Sequence, residues 1–153
     1  MIFNLKGDAT YPQVKETENV IIPHITNNIG AWGAGFVIAL SKRWKEPEAM
    51  YRELYKSYAL GSTMFVQVEK NITVANMTAQ NDIISNTSRD NPPIDYVALE
   101  KTLKTVYNKA KLMNASVHMP KIGSGLAGGD WSLIEKIIDE IFADVDVYVY
   151  IFN

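Results

Sequence analysis

Cysteine is absent from the 153 residues, and histidine occurs only twice, at His24 and His118. The first absence excludes disulfides, thiol nucleophiles and thiolate metal sites, and it is in keeping with a reducing compartment. The two histidines lie far apart with no acidic helix partner, so no metal site is expected. Positive charge is also short. Lys and Arg number 15 against 17 Asp and Glu, for a net charge of −2, which offers no footprint for gripping long nucleic acid. No apolar run reaches the roughly 18 residues of a membrane span, and Met1–Asp8 holds too little apolar sequence for a signal peptide. The expectation is a cytoplasmic protein with no membrane partner and no general nucleic-acid partner. The four Asn-x-Ser/Thr triplets, at Asn71, Asn76, Asn86 and Asn114, are then chance matches.

What is present suits one α/β domain over residues 1–153. Hydrophobic residues make up 47 % and charged residues 21 %, enough for a core of useful size. Short apolar runs predict strands at Ile2–Leu5, Asn19–Ile25, Met64–Val68, Ile72–Met77, Ser116–Met119 and Asp146–Phe152, the third and fourth as a hairpin. Pro23 predicts an irregularity or a strand end, because proline has no N–H for a ladder. Three- to four-residue spacing of Phe36, Val37, Leu40 and Trp44 predicts a helix, and Pro47 opens a second that ends near Gly61. Asp95 caps a long helix over Tyr96–Met113, and a last helix runs from Asp130 or Trp131 to Phe142. Gln80–Pro93 is polar and reads as a surface loop, with a lid carrying Arg89 as the alternative. Trp32, Trp44 and Trp131 are read as packing groups.

Two glycine-rich segments stand between a strand and a helix: Gly30-Ala-Trp-Gly33-Ala34-Gly35, and Lys121-Ile122-Gly123-Ser124-Gly125-Leu126-Ala127-Gly128-Gly129. Glycine there lets the backbone approach a ligand, and free N–H groups at such bends bind phosphate without cationic side chains. Gly123-x-Gly125-x-x-Gly128 matches the dinucleotide fingerprint formally. A nicotinamide site needs an acidic residue about 20 positions on, at the end of the next strand, and here that point lies near Phe152 and Asn153. No Gly-Lys-Ser/Thr follows either segment, which excludes a P-loop. Ser124 has Ile122 two residues before it, which excludes a nucleophile elbow.

Gly7-Asp8-Ala9-Thr10, Val20-Ile-Ile-Pro-His24-Ile-Thr-Asn27, Gly30-Ala-Trp-Gly33-Ala-Gly35 and Met119-Pro-Lys-Ile-Gly-Ser-Gly-Leu-Ala-Gly-Gly-Asp-Trp131 resemble the macrodomains in order and spacing, over nearly the whole chain. The resemblance implies a three-layer α/β/α fold with a mixed central sheet, and ADP-ribose as the ligand. It is similar most of all to proteins that process ADP-ribose 1″-phosphate and to the branch of terminal ADP-ribose glycohydrolases.

By position, Asp8, with Ala9 beside it, matches the acceptor for the adenine amino group. Asn27 matches the asparagine on the distal ribose. Gly33, Ala34 and Gly35 match the loop along the diphosphate, and Ile122, Gly123, Ser124, Gly125, Leu126 and Ala127 match the loop whose amides wrap the phosphates. Phe152 falls where the family stacks a ring on adenine. For Asp8 a simple turn role stays open. For Phe152 and His24 a place in the core stays open.

The resemblance also bears on catalysis. The glycohydrolase branch uses a lysine after the fourth strand and an aspartate in the second loop, where this chain has Thr78-Ala79-Gln80 and Ala127. His24 and Asn27 are therefore the catalytic candidates for phosphate release from ADP-ribose 1″-phosphate, with His24 as acid or base. A non-catalytic reader of ADP-ribosylated macromolecules, or a deacylating or de-ADP-ribosylating hydrolase lacking the lysine–aspartate pair, is the alternative. No cofactor is called for.

Overall fold

The apolar runs become strands and the 3.6-period stretches become helices. A computed structural model describes residues 1–83, 86 and 91–152. Among these, the elements in chain order are β1 (Ile2–Lys6), β2 (Asn19–Asn27), α1 (Phe36–Arg43), α2 (Glu46–Leu54), β3 (Thr63–Glu69), β4 (Ile72–Gln80), α3 (Tyr96–Met113), β5 (Ala115–Pro120), α4 (Trp131–Ile141) and β6 (Val147–Ile151), with a short 3-10 turn at Tyr55–Ser57. The strands form one sheet in the order β1-β6-β5-β2-β4-β3. All neighbours are parallel except β3, which returns along β4 as a hairpin.

Alternation along the strands divides the side chains between two faces. Val20, Ile22, Ile72 and Val74 pack under α1 and α2 with Trp32, Leu40, Trp44 and Tyr51. Ile21, Ala75, Met77, Val117 and Val149 pack under α3 and α4 with Leu99, Leu103, Ile134 and Ile138. This is the expected three-layer α/β/α arrangement with a mixed sheet. The helix starts follow the sequence: Asp95 accepts from Ala98 N–H, and Asp130 accepts from Ser132 N–H, each satisfying an orphan donor of the first turn.

Three readings need correction. Pro23 neither ends nor breaks β2. Val20 N–H donates towards β4, to Asn71 O, so alternation turns position 23 towards β5. There the ladder has already stopped, its last pair being Ile21 with Val117, and the missing N–H costs no bond. The one irregularity in the β2–β4 pairing lies later, between Thr26 and Asn27. Second, α2 ends at Leu54 instead of near Gly61. Third, Gln80 belongs to β4. Residues 84, 85 and 87–90, Arg89 among them, lie outside the described residues, and so does the lid reading.

The sheet order also locates a cleft. The neighbours β2 and β5 lead to α1 on one face and α4 on the other, and they pair only over Asn19–Ile21. Past that point they part. Adjacent parallel strands whose connections leave to opposite faces open a crevice at their carboxyl ends, where ligands of open α/β sheets bind.

Candidate functional site

Two hollows meet at that crevice. One, of about 310 Å³, is lined by His24, Ile25, Ala34, Gly35, Phe36, Val37, Gln80, Pro120 and the run Lys121–Ala127. The other, of about 570 Å³ and mainly apolar, is lined by Gly7, Asp8, Ala9, Tyr11, Gly35, Phe36, Ile38, Ala39, Lys42, Arg43, Pro120, Tyr150 and Phe152. Gly35, Phe36 and Pro120 belong to both, so together they form one elongated cleft. A further hollow of about 430 Å³ sits at the opposite ends of the strands, around Glu18, Asn19, Lys111 and Asp144, away from both glycine loops.

The walls of the cleft are largely backbone. Gly35 takes a φ of 82° and Gly123 a φ of 74°, conformations that side chains resist. A Cβ on Gly123 would also lie 2.8 Å from Ile94 Cδ1. In the second loop, Ile122, Gly128 and Gly129 spend their N–H groups on Pro120, Gly125 and Gly123 carbonyls. Among the described residues, the N–H groups of Ser124, Gly125, Leu126 and Ala127 donate to no protein acceptor. Gly35 leads into α1 without a side-chain cap; Ile38 N–H donates to Gly35 O, while the Phe36 and Val37 amides have no acceptor among the described residues. Two sets of unpaired donors thus face each other across the narrower hollow, and Lys121 adds a positive charge at its edge.

Asp8 stands at the wall of the apolar hollow. Its Oδ1 accepts from Thr10 N–H at 2.8 Å and from Thr10 Oγ1 at 2.7 Å, so it does organise a turn. Among the described residues its Oδ2 accepts nothing, and it remains available. Phe152 is 77 % exposed at the rim, which excludes the core reading.

His24 is buried at the inner end of the narrower hollow, edge-on to Trp32 and tilted against Phe36. Its Nε2 shares a short hydrogen bond with Asn76 Oδ1, and its Nδ1 has no partner among the described residues. Burial pulls its pKa down to about 4, only partly opposed by the Asn76 hydrogen bond. A ring that titrates near 4 is neutral at pH 7, because desolvation disfavours the imidazolium.

Asn27 and Gly33 line neither hollow. The Asn27 carboxamide holds its own loop: Oδ1 accepts from Ile29 N–H, Ala31 N–H and the Tyr51 hydroxyl, while Nδ2 donates to Ala31 O. Sequence reasoning missed Phe36, Pro120 and Lys121 as cleft residues. It also missed Asn76, a polar side chain that shares the buried run Ile72–Ala79 with the buried Thr73 and Thr78, so no sequence signal set it apart.

No family model matches the chain. A Bacteroides thetaiotaomicron protein of known structure and unknown function is 48 % identical, with 98 % of this chain and 97 % of that one covered and a TM-score of 0.90. A macrodomain protein from Streptomyces coelicolor is 39 % identical, with 99 % of each chain covered and a TM-score of 0.84. The chain belongs to the macrodomain family.

Two curated relatives differ in extent. The macrodomain is 29 % identical to the mouse chromodomain-helicase-DNA-binding protein 1-like over 97 % of its own length, but spans only 17 % of that protein. It is 24 % identical to the ADP-ribose 1″-phosphate phosphatase of Lodderomyces elongisporus, with 95 % of this chain and 96 % of that one covered. Among the described residues, no helix of this macrodomain is long and apolar enough to cross a membrane.

Proposed function

We propose that residues 1–153 act as one macrodomain that binds ADP-ribose and hydrolyses ADP-ribose 1″-phosphate to ADP-ribose. The observation that carries the reading is the single cleft running from an apolar hollow into one ringed by free backbone donors. That sequence of surfaces suits adenosine followed by a diphosphate and a second ribose. Asp8 Oδ2 is an acceptor for the adenine amino group and Phe152 a face for its ring. The amides of Ala34, Gly35 and Ser124–Ala127 serve the diphosphate, so a chain of net charge −2 can hold an anion.

For phosphate release, water attacks phosphorus, the bond from phosphorus to the ribose oxygen breaks, and the proton that the water gives up passes by way of a phosphoryl oxygen to the departing ribose oxygen. The loop amides stabilise the charge that builds on the phosphoryl group. His24, neutral at pH 7, contributes a lone pair to orient that water and no proton. Asn27 acts by shaping the first loop. The phosphatase name of the yeast relative supports the same substrate here.

A second reading has an observation of its own. Among the described residues lining the narrower hollow there is no Asp or Glu, and an ionised base is what hydrolases commonly place there. This favours a reader of ADP-ribosylated macromolecules, or a hydrolase that works by water positioning alone. Calorimetry with ADP-ribose and phosphate release from ADP-ribose 1″-phosphate separate the cases. Binding with release supports the phosphatase. Binding without turnover of phosphate, ester-linked or base-linked conjugates supports the reader, and no binding removes both.

A further inference from the structure

We infer that Asn76 is a positioning residue for this site: it holds the His24 proton on Nε2, so that Nδ1 meets the ligand as a bare acceptor for a hydroxyl group or a water molecule. The hydroxyl contact rests on the ADP-ribose reading of the cleft; the role of Asn76 in fixing the proton does not.

Asn76 stands opposite His24 in the β2–β4 register, and both side chains are buried. Its Nδ2 donates to Pro47 O at 3.2 Å and lies 3.6 Å from Met64 Sδ. A carbonyl oxygen only accepts, so the amide nitrogen must face α2 and Oδ1 must face His24. An oxygen in that place requires a donor, which puts the proton on Nε2. A neutral imidazole carries one N–H, leaving Nδ1 with a lone pair. That atom is buried and has no partner among the described residues.

A buried acceptor without a donor carries a standing cost, which a donor from the ligand side removes. His24 lines the narrower hollow with Ala34, Gly35 and Lys121, and Nδ1 itself is covered, so a donor from the hollow reaches it by displacing the groups that now cover it. Phosphate oxygens at neutral pH are acceptors and do not satisfy it. A sugar hydroxyl or an attacking water does. An aspartate at position 76 would pair with imidazolium; a neutral carboxamide does not, and Trp32 and Phe36 add only aromatic surface. Burial and the Asn76 hydrogen bond alone displace the ring's titration, with no charged neighbour contributing.

Long-range ¹H–¹⁵N NMR spectra of the full chain, with His24 assigned through His24→Gln, read the proton's position. The expected result is a pyrrole-like Nε2 and a pyridine-like Nδ1 at neutral pH. Asn76→Asp raises the His24 titration midpoint by about 1–3 pH units. A proton on Nδ1 in the unsubstituted protein, or a midpoint unmoved in a folded Asn76→Asp variant, overturns the role of Asn76.

Saturating ADP-ribose is expected to move Nδ1 upfield as it accepts a hydrogen bond. Binding by calorimetry with Nδ1 unmoved refutes the hydroxyl contact and leaves the ligand reading intact. Absence of binding refutes the ligand reading together with that contact, while the unliganded spectrum still decides what Asn76 does.

Discussion

The Tyr51 hydroxyl lies 2.7 Å from both the main-chain oxygen and the side-chain Oδ1 of Asn27, tying α2 to the end of β2. The same hydroxyl accepts from Gly30 N–H at 3.1 Å, and its burial pushes its pKa up to about 12. One phenol therefore fixes both ends of the turn that delivers Ala34 and Gly35 to the cleft.

Tyr51→Phe removes that tie and leaves buried polar groups unpaired. The expected cost is about 1–3 kcal/mol, read by chemical denaturation. ADP-ribose affinity should fall with it in calorimetry, because a looser turn must be ordered again on binding. Unchanged stability would show that water replaces the hydroxyl without loss.

The two histidines make stability depend on pH. Both have pKa values lowered to about 4, His24 by burial against its Asn76 bond and His118 by burial alone. The unfolded chain, with ordinary values near 6.5, binds more protons than the folded one between those limits. Stability is then full above about pH 6.5 and is lost as pH falls towards 4. Going from pH 7 to pH 5 should cost about 2 kcal/mol per histidine, and His118→Gln should flatten the profile. His118 meets the Tyr150 hydroxyl at 2.8 Å and Ser116 Oγ at 2.9 Å, so this variant also lowers stability at pH 7.

Phe152→Ala should leave stability nearly untouched, since the ring is mostly in solvent. If it stacks on adenine, the variant loses about 1–3 kcal/mol of binding free energy. Calorimetry with ADP-ribose and with ribose 5-phosphate, which has no base, separates stacking from a general effect. Equal losses for both ligands would contradict the stacking role.

Much of this arrangement is legible in the residues. Asp95 and Asp130 announce their helices because a cap is a local bond. The glycine segments mark both cleft loops because positive φ at Gly35 and Gly123 is a local demand. What escapes the sequence depends on partners far along the chain. Pro23 is tolerated because the β5 ladder stops two residues earlier. Asn27 is occupied by a tyrosine 24 positions away. His24 loses its ordinary titration through burial against Trp32 and Phe36, a condition that tertiary packing alone creates.

The central claim is that main-chain amides at two bends grip the diphosphate of ADP-ribose. Its most direct test is a titration of ¹⁵N-labelled protein with ADP-ribose, followed by amide chemical shifts. The account predicts large shifts clustered at residues 33–36 and 123–127, with little change around Glu18, Lys111 and Asp144 at the far ends of the strands. Saturation without shifts in either loop would contradict it.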